Sequence, residues 1–188
     1  MEYFAEARPD VEIEVQPSGL VTGAKIKPYS EMYTYIKEAA PRMTAITGQA
    51  LEEPFFEMMR QAETPLSISA PPSHAILQMK ALVDDRSVLR FVHKLQAVHF
   101  KEGKDLNLPK TYDAVTDALS LPRLETAAIA AATETDPQVA ASFNAARNLG
   151  VSSFPTCLVI GEDGQKLGRI SGVYEPDDFI AQFDQLRH

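Results

Sequence analysis

A single cysteine, Cys157, is the whole thiol inventory of these 188 residues, and tryptophan is absent. One thiol cannot close an intramolecular disulfide, and it cannot supply a cysteine zinc site. Positive charge is also scarce: 18 Lys and Arg stand against 26 Asp and Glu, a net charge of -8. Such a surface repels phosphate backbones, which excludes nucleic acid as a partner. No apolar run approaches the roughly 18–20 residues that span a bilayer, so no membrane partner is expected. The opening residues, Met1 to Pro9, lack the basic stretch and apolar core of a secretory signal. With the lone thiol, this points to the cytoplasm. His74, His93, His99 and His188 show no metal-ligand spacing and read as surface or partly buried helix residues. Glu52-Glu53 and Asp84-Asp85 read as solvated helix starts, not as an acid and base pair. No metal and no cofactor is implied.

What is present is a globular composition, 45% hydrophobic and 23% charged, long enough to bury a core without disulfides. Glu2 to Ala7 reads as the tail of a helix stopped by Arg8-Pro9. Val11, Ile13 and Val15 alternate with Glu12 and Glu14, the period of a strand with one buried face. From Tyr29 to Thr133 the pattern is helical. Helices are expected over Glu31–Lys37, capped by Ser30, and over Leu51–Ala62, His74–Val83, Arg86–Lys101, Pro109–Leu119 and Leu121–Thr133. The methionines of this block, Met32, Met43, Met58, Met59 and Met79, read as core filler.

The last third changes character. Asp136 is placed to cap a helix with Pro137 in its first turn, and Gly150 to end it in the left-handed conformation. After Ser152-Ser153-Phe154-Pro155 comes Thr156–Ile160, an almost continuous apolar run that predicts a strand covered on both faces. Asp163-Gly164 is a hairpin turn, Lys166–Ser171 the return strand, and Pro176 opens a final helix lined by Phe179, Phe183 and Leu186. A proline at the entry to a buried strand needs a reason, so Pro155 is singled out as site-forming. Cys157, two residues on, reads as a small core residue.

The run Leu149-Gly150-Val151-Ser152-Ser153-Phe154-Pro155-Thr156-Cys157-Leu158-Val159-Ile160, with the hairpin and helix after it, resembles the C-terminal half of thioredoxin-like proteins. The large helical block before it resembles the DsbA-like branch, including its FrnE-like members. The resemblance implies an α/β thioredoxin-like fold with an all-helical insertion. Residues 1–28 and 134–188 would form the thioredoxin-like domain, and residues 29–133 the insertion. In that family the proline is cis and faces the active site. Ser153, Phe154, Pro155 and Thr156 are therefore the expected substrate-binding residues. The backbone before the proline would pair with an extended peptide or thiol substrate.

The family places a Cys-x-x-Cys motif at the start of its first helix, after a central strand. Neither that strand nor that helix start has a counterpart here, and no catalytic residue is assigned. Three readings of the gap stand side by side. Met1 is an internal methionine of a longer protein; or a second copy completes the sheet in a homodimer; or the chain is a redox-inactive relative. The function implied is that of a thiol–disulfide oxidoreductase or isomerase, redox-inactive as the chain stands. The alternatives are a non-catalytic peptide-binding module and a glutathione-using relative of kappa-class transferases or hydroxychromene carboxylate isomerases.

Overall fold

The computed structural model describes residues 1–61 and 63–187. In chain order the elements are α1 (Glu2–Ala7), β1 (Lys27–Pro28), α2 (Tyr33–Thr47), α3 (Glu53–Met59), β2 (Leu66–Ser67), α4 (Ala70–Lys80), α5 (Asp85–Phe100), α6 (Pro109–Leu119), α7 (Thr126–Ala130), α8 (Pro137–Asn148), β3 (Thr156–Ile160), β4 (Lys166–Ser171) and α9 (Pro176–Arg187). The expected helix end at Ala62 and the expected surface or partly buried position of His188 lie outside the described residues.

Helix α5 organises the insertion. Val88, Phe91, Leu95 and Val98 recur every three or four residues and are all buried, the stripe an amphipathic helix turns to a core. Asp84 starts the helix by accepting the Ser87 backbone N–H at 3.0 Å. Ala75 and Met79 of α4, Tyr112 and Val115 of α6, and Ile129 of α7 complete this core. Helix α8 lies against α4 through Val139 and Phe143 packed on Ala70.

A second apolar cluster sits under β3 and β4. Phe4, Val159, Ile170 and Phe183 are buried together, and Val11, Ile13 and Cys157 pack against them. Helices α1 and α9 meet here. The Phe4 ring stands edge-on to Phe179 and Phe183, at centroid distances of 5.2 and 4.9 Å. Arg8 pairs with Asp184, and Arg187 with Asp10. Strands β3 and β4 run antiparallel, with Thr156 opposite Ser171, Cys157 opposite Ile170 and Val159 opposite Gly168.

Several expectations are corrected. Val11, Ile13 and Val15 do alternate in burial with the exposed Glu12 and Glu14, yet no strand forms there. A strand is a pairing of backbones, and among the described residues the two sheets pair only β1 with β2 and β3 with β4. Side chains anchor this segment instead: Lys80 Nζ donates to the Val15 carbonyl at 2.9 Å, and the Gln16 amide donates to the Ser142 hydroxyl at 2.6 Å. Strand β3 is not covered on both faces. Only Val159 is buried, and Ile160 is 51% exposed. The helix expected over Leu121–Thr133 shrinks to α7, with residues 121–125 irregular and Arg123 drawn back to Asp113 and Asp117 on α6. Ser30 caps no α-helix; it lies in a short 3-10 turn, Tyr29–Met32, ahead of α2. Asp136 accepts the Thr133 N–H and hydroxyl and does not cap α8 with its side chain.

Candidate functional site

The loop between α8 and β3, with the first residue of β3, carries Ser153, Phe154, Pro155 and Thr156. Its entry is fixed by the end of α8. The Val151 N–H donates to the Ala146 carbonyl at 3.1 Å and the Gly150 N–H to Arg147 at 2.9 Å, the paired bonds of a Schellman ending. Gly150 takes φ +76° there, a left-handed value that a residue with a Cβ rarely adopts. The chain then turns through Ser152 and Ser153 to Phe154, and the Phe154–Pro155 peptide bond is cis.

The exit of the loop is pinned to the end of β4. The Gly172 N–H donates to the Pro155 carbonyl at 3.0 Å. The Thr156 hydroxyl donates to the Ser153 carbonyl at 2.8 Å and lies 3.0 Å from the Ser171 hydroxyl. Tyr174 closes the corner by donating its hydroxyl to the Ser171 carbonyl at 2.9 Å. Two chain segments, 153–156 and 171–174, are thus held together as one platform. It exposes two large apolar side chains, Phe154 at 38% and Val173 at 46%, together with Ser153, Pro155 and Gly172. The structure brings Ser153, Phe154, Pro155 and Thr156 together with Ser171, Gly172 and Tyr174. The last three were not singled out as site residues. The register of β3 with β4 is what delivers them, and the Ser-Gly step after β4 was its trace in the sequence.

Cys157 points the other way. Strand side chains alternate between faces, so Cys157 shares the face of Val159 and packs toward Phe4 and Ile170. Burial pushes its thiol pKa up, which favours the neutral thiol over the nucleophilic thiolate. Among the described residues, no group of three or more His, Cys, Asp or Glu is placed to hold a metal ion.

One histidine read as a surface or partly buried residue is fully internal. His99, on α5, is 2% exposed. It is packed by the rings of Phe55, Phe100 and Tyr29, at centroid distances of 5.1, 4.8 and 5.4 Å. Its spacing of four from Leu95 puts it on the inner edge of α5, but Phe55 and Tyr29, which close over it, come from a segment distant in sequence.

The model of the thioredoxin-like domain family matches residues 91–187, more than half of the chain. This chain belongs to the thioredoxin-like domain family. The match begins in α5 and includes the whole Pro155 platform. None of the curated proteins matches it. Among solved structures, the thioredoxin-like protein is similar to DsbM, a cytosolic disulfide reductase from Pseudomonas aeruginosa solved with GSH. That likeness has a TM-score of 0.67 at 22% identity, over 98% of this chain and 89% of the other. At this identity the likeness is one of fold, and the fold is thioredoxin-like of the DsbA type with a helical insertion. Among the described residues no helix is long and apolar enough to cross a membrane.

Proposed function

We propose that this protein positions an extended, cysteine-bearing peptide for thiol–disulfide exchange, and that it does not carry out dithiol exchange by itself. The carrying observation is the platform itself: an exposed Phe154 on a loop tied at both ends, with the exposed Val173 on the segment tied to it. An extended backbone can pair with that loop in the manner of strand addition, its side chains covering the apolar rim. Dithiol exchange needs two thiols, one of them a thiolate. Cys157 is the one thiol in these residues, and burial keeps it protonated. In this reading residues 1–28 and 134–188 hold the substrate and residues 29–133 form the insertion above it. A second copy that completes the sheet would make the protein elute as a dimer on sizing chromatography, and elution as a monomer would remove that copy from the proposal.

A second reading has a small thiol, glutathione, on the same platform. It is favoured by the fold relative, whose structure contains GSH. The lone free thiol and the cytosolic relative both fit a cytoplasmic setting.

The test has two parts. The purified chain should give no insulin reduction above the dithiothreitol blank; turnover would overturn the non-catalytic half of the proposal. A labelled extended peptide containing one cysteine should bind, as read by fluorescence anisotropy. Phe154→Asp should weaken it roughly fivefold or more, since half-burying a phenylalanine contributes about 1 kcal/mol. Retention on glutathione resin without peptide binding would select the second reading.

A further inference from the structure

The segment from Tyr29 to Arg60 is built as a flap. At its neck the β1–β2 ladder pairs Lys27 with Ser67 and Pro28 with Leu66. It has an apolar cluster of its own, Phe55, Phe56, Met58 and Met59, against which Tyr33, Ile36 and Ala40 pack. Helix α2 contributes no buried residue, and Tyr35 on it is 75% exposed. The flap meets the rest of the protein along α5. The Glu52 N–H donates to the Phe100 carbonyl at 3.0 Å. Pro54 presses so closely on Gly103 that a Cβ there would come within 2.3 Å of the Pro54 carbonyl oxygen. At the centre of this contact the Tyr29 hydroxyl lies 3.0 Å from His99 Nε2.

The other ring nitrogen decides the direction of that bond. His99 Nδ1 is 2.7 Å from the Lys104 carbonyl oxygen. A carbonyl only accepts, so Nδ1 carries the proton and, in the neutral ring, Nε2 accepts from Tyr29. We infer that the Tyr29–His99 pair is an acid-sensitive latch, holding the flap on α5 while the imidazole is neutral and freeing it when Nε2 takes a proton. A proton on Nε2 makes that nitrogen a donor, so the Tyr29 hydroxyl must give up its bond and turn to accept, and the new charge sits among Phe55, Phe100 and Tyr29.

The titratable groups around the ring are few. Tyr29 comes from the flap, Tyr112 from α6, and Asp105 from the loop after α5. Glu52 and Glu53, at the start of α3, are exposed to solvent. Burial is the largest effect and lowers the His99 pKa, although the bond to the Lys104 carbonyl and the nearby Asp105 both favour the imidazolium. Burial likewise raises that of Tyr29, so the phenol stays a donor. A histidine whose folded pKa is depressed takes up its proton preferentially in the opened state. The latch is therefore complete above the ordinary imidazole value of about 6.5 and is lost as pH falls through the lower folded value.

The experiment is hydrogen exchange read by mass spectrometry on the full chain between pH 7.5 and 5.0, corrected for intrinsic exchange rates. Peptides from α2 and α3 should lose protection by up to roughly tenfold per pH unit while one proton is taken up, with β3 and β4 unchanged. In His99→Phe, which has no titratable ring at this site and makes neither bond, flap protection should no longer change with pH over the same range. Equal flap protection at both ends of the range in the unaltered protein would overturn the latch. So would simultaneous loss of protection in β3 and β4. If His99→Phe fails to fold, the carbon-bound ring protons of His99 followed by NMR decide between the same outcomes: they must titrate below the ordinary range and in step with the flap, and titration at the ordinary value or out of step with the flap overturns the latch.

Discussion

Thr156 stands opposite Ser171 across the β3–β4 register, its Oγ1 3.0 Å from the serine Oγ. The threonine proton goes to the Ser153 carbonyl, so Ser171 donates to Thr156. One side chain therefore ties the loop before β3 to the end of β4. Thr156→Val keeps the shape and removes both bonds. The expected result is peptide affinity weakened about twofold to tenfold, corresponding to a hydrogen-bond contribution of about 0.5–1.5 kcal/mol. Anisotropy titration of the two proteins checks it. Unchanged affinity would detach this hydroxyl from substrate positioning.

Cys157 should be a slow thiol. Its side chain is packed toward Phe4, Val159 and Ile170, and burial raises its pKa. Raising a thiol's pKa depletes the thiolate at any pH below it, so alkylation at pH 8 should lag well behind a free cysteine and recover in urea. A time course of iodoacetamide labelling with and without denaturant decides the point. Labelling at the free-cysteine rate in native buffer would contradict the packing.

Phe4 is the point at which α1 grips α9. Phe4→Ala should cost about 3–5 kcal/mol, the usual range for a buried phenylalanine, and Phe4→Leu distinctly less. Chemical denaturation, monitored at fixed pH, measures both. Losses confined below about 1 kcal/mol would mean that the Phe179 and Phe183 contacts hold α9 without Phe4.

Most of the platform could be read from the sequence because its signals are local. The glycine after α8, the proline before an apolar run and the Asp-Gly turn each impose a backbone shape on a few residues. Those residues behave the same way whatever surrounds them. The misreadings arise where the deciding contact is distant. Val11, Ile13 and Val15 have a strand's alternation, but alternation records which side chains find a core, and only a neighbouring backbone makes a ladder. His99 follows Val98 on the inner edge of α5, and a polar residue there is ordinarily assigned to solvent. It becomes internal because Phe55 and Tyr29, more than forty positions earlier, close over it. Asp136 had a cap's position and a cap's chemistry; Thr133 offered it better donors.

The meeting of α1 with α9 bears on the order in which the molecule can fold as it is made. The core of α4 to α7 joins helices that are near neighbours in the chain, and it can close as soon as α7 has left the ribosome. The cluster under β3 and β4 must wait. Phe4 is synthesised early, but Phe179 and Phe183 arrive only after the whole insertion has passed. Throughout that interval α1, Val11 and Ile13 are without the ring partners they have in the finished protein. The helical block is thus free to close first, and Arg86, which donates to the Ala5 and Pro9 carbonyls in the finished structure, is available to hold the early segment until its late partner comes.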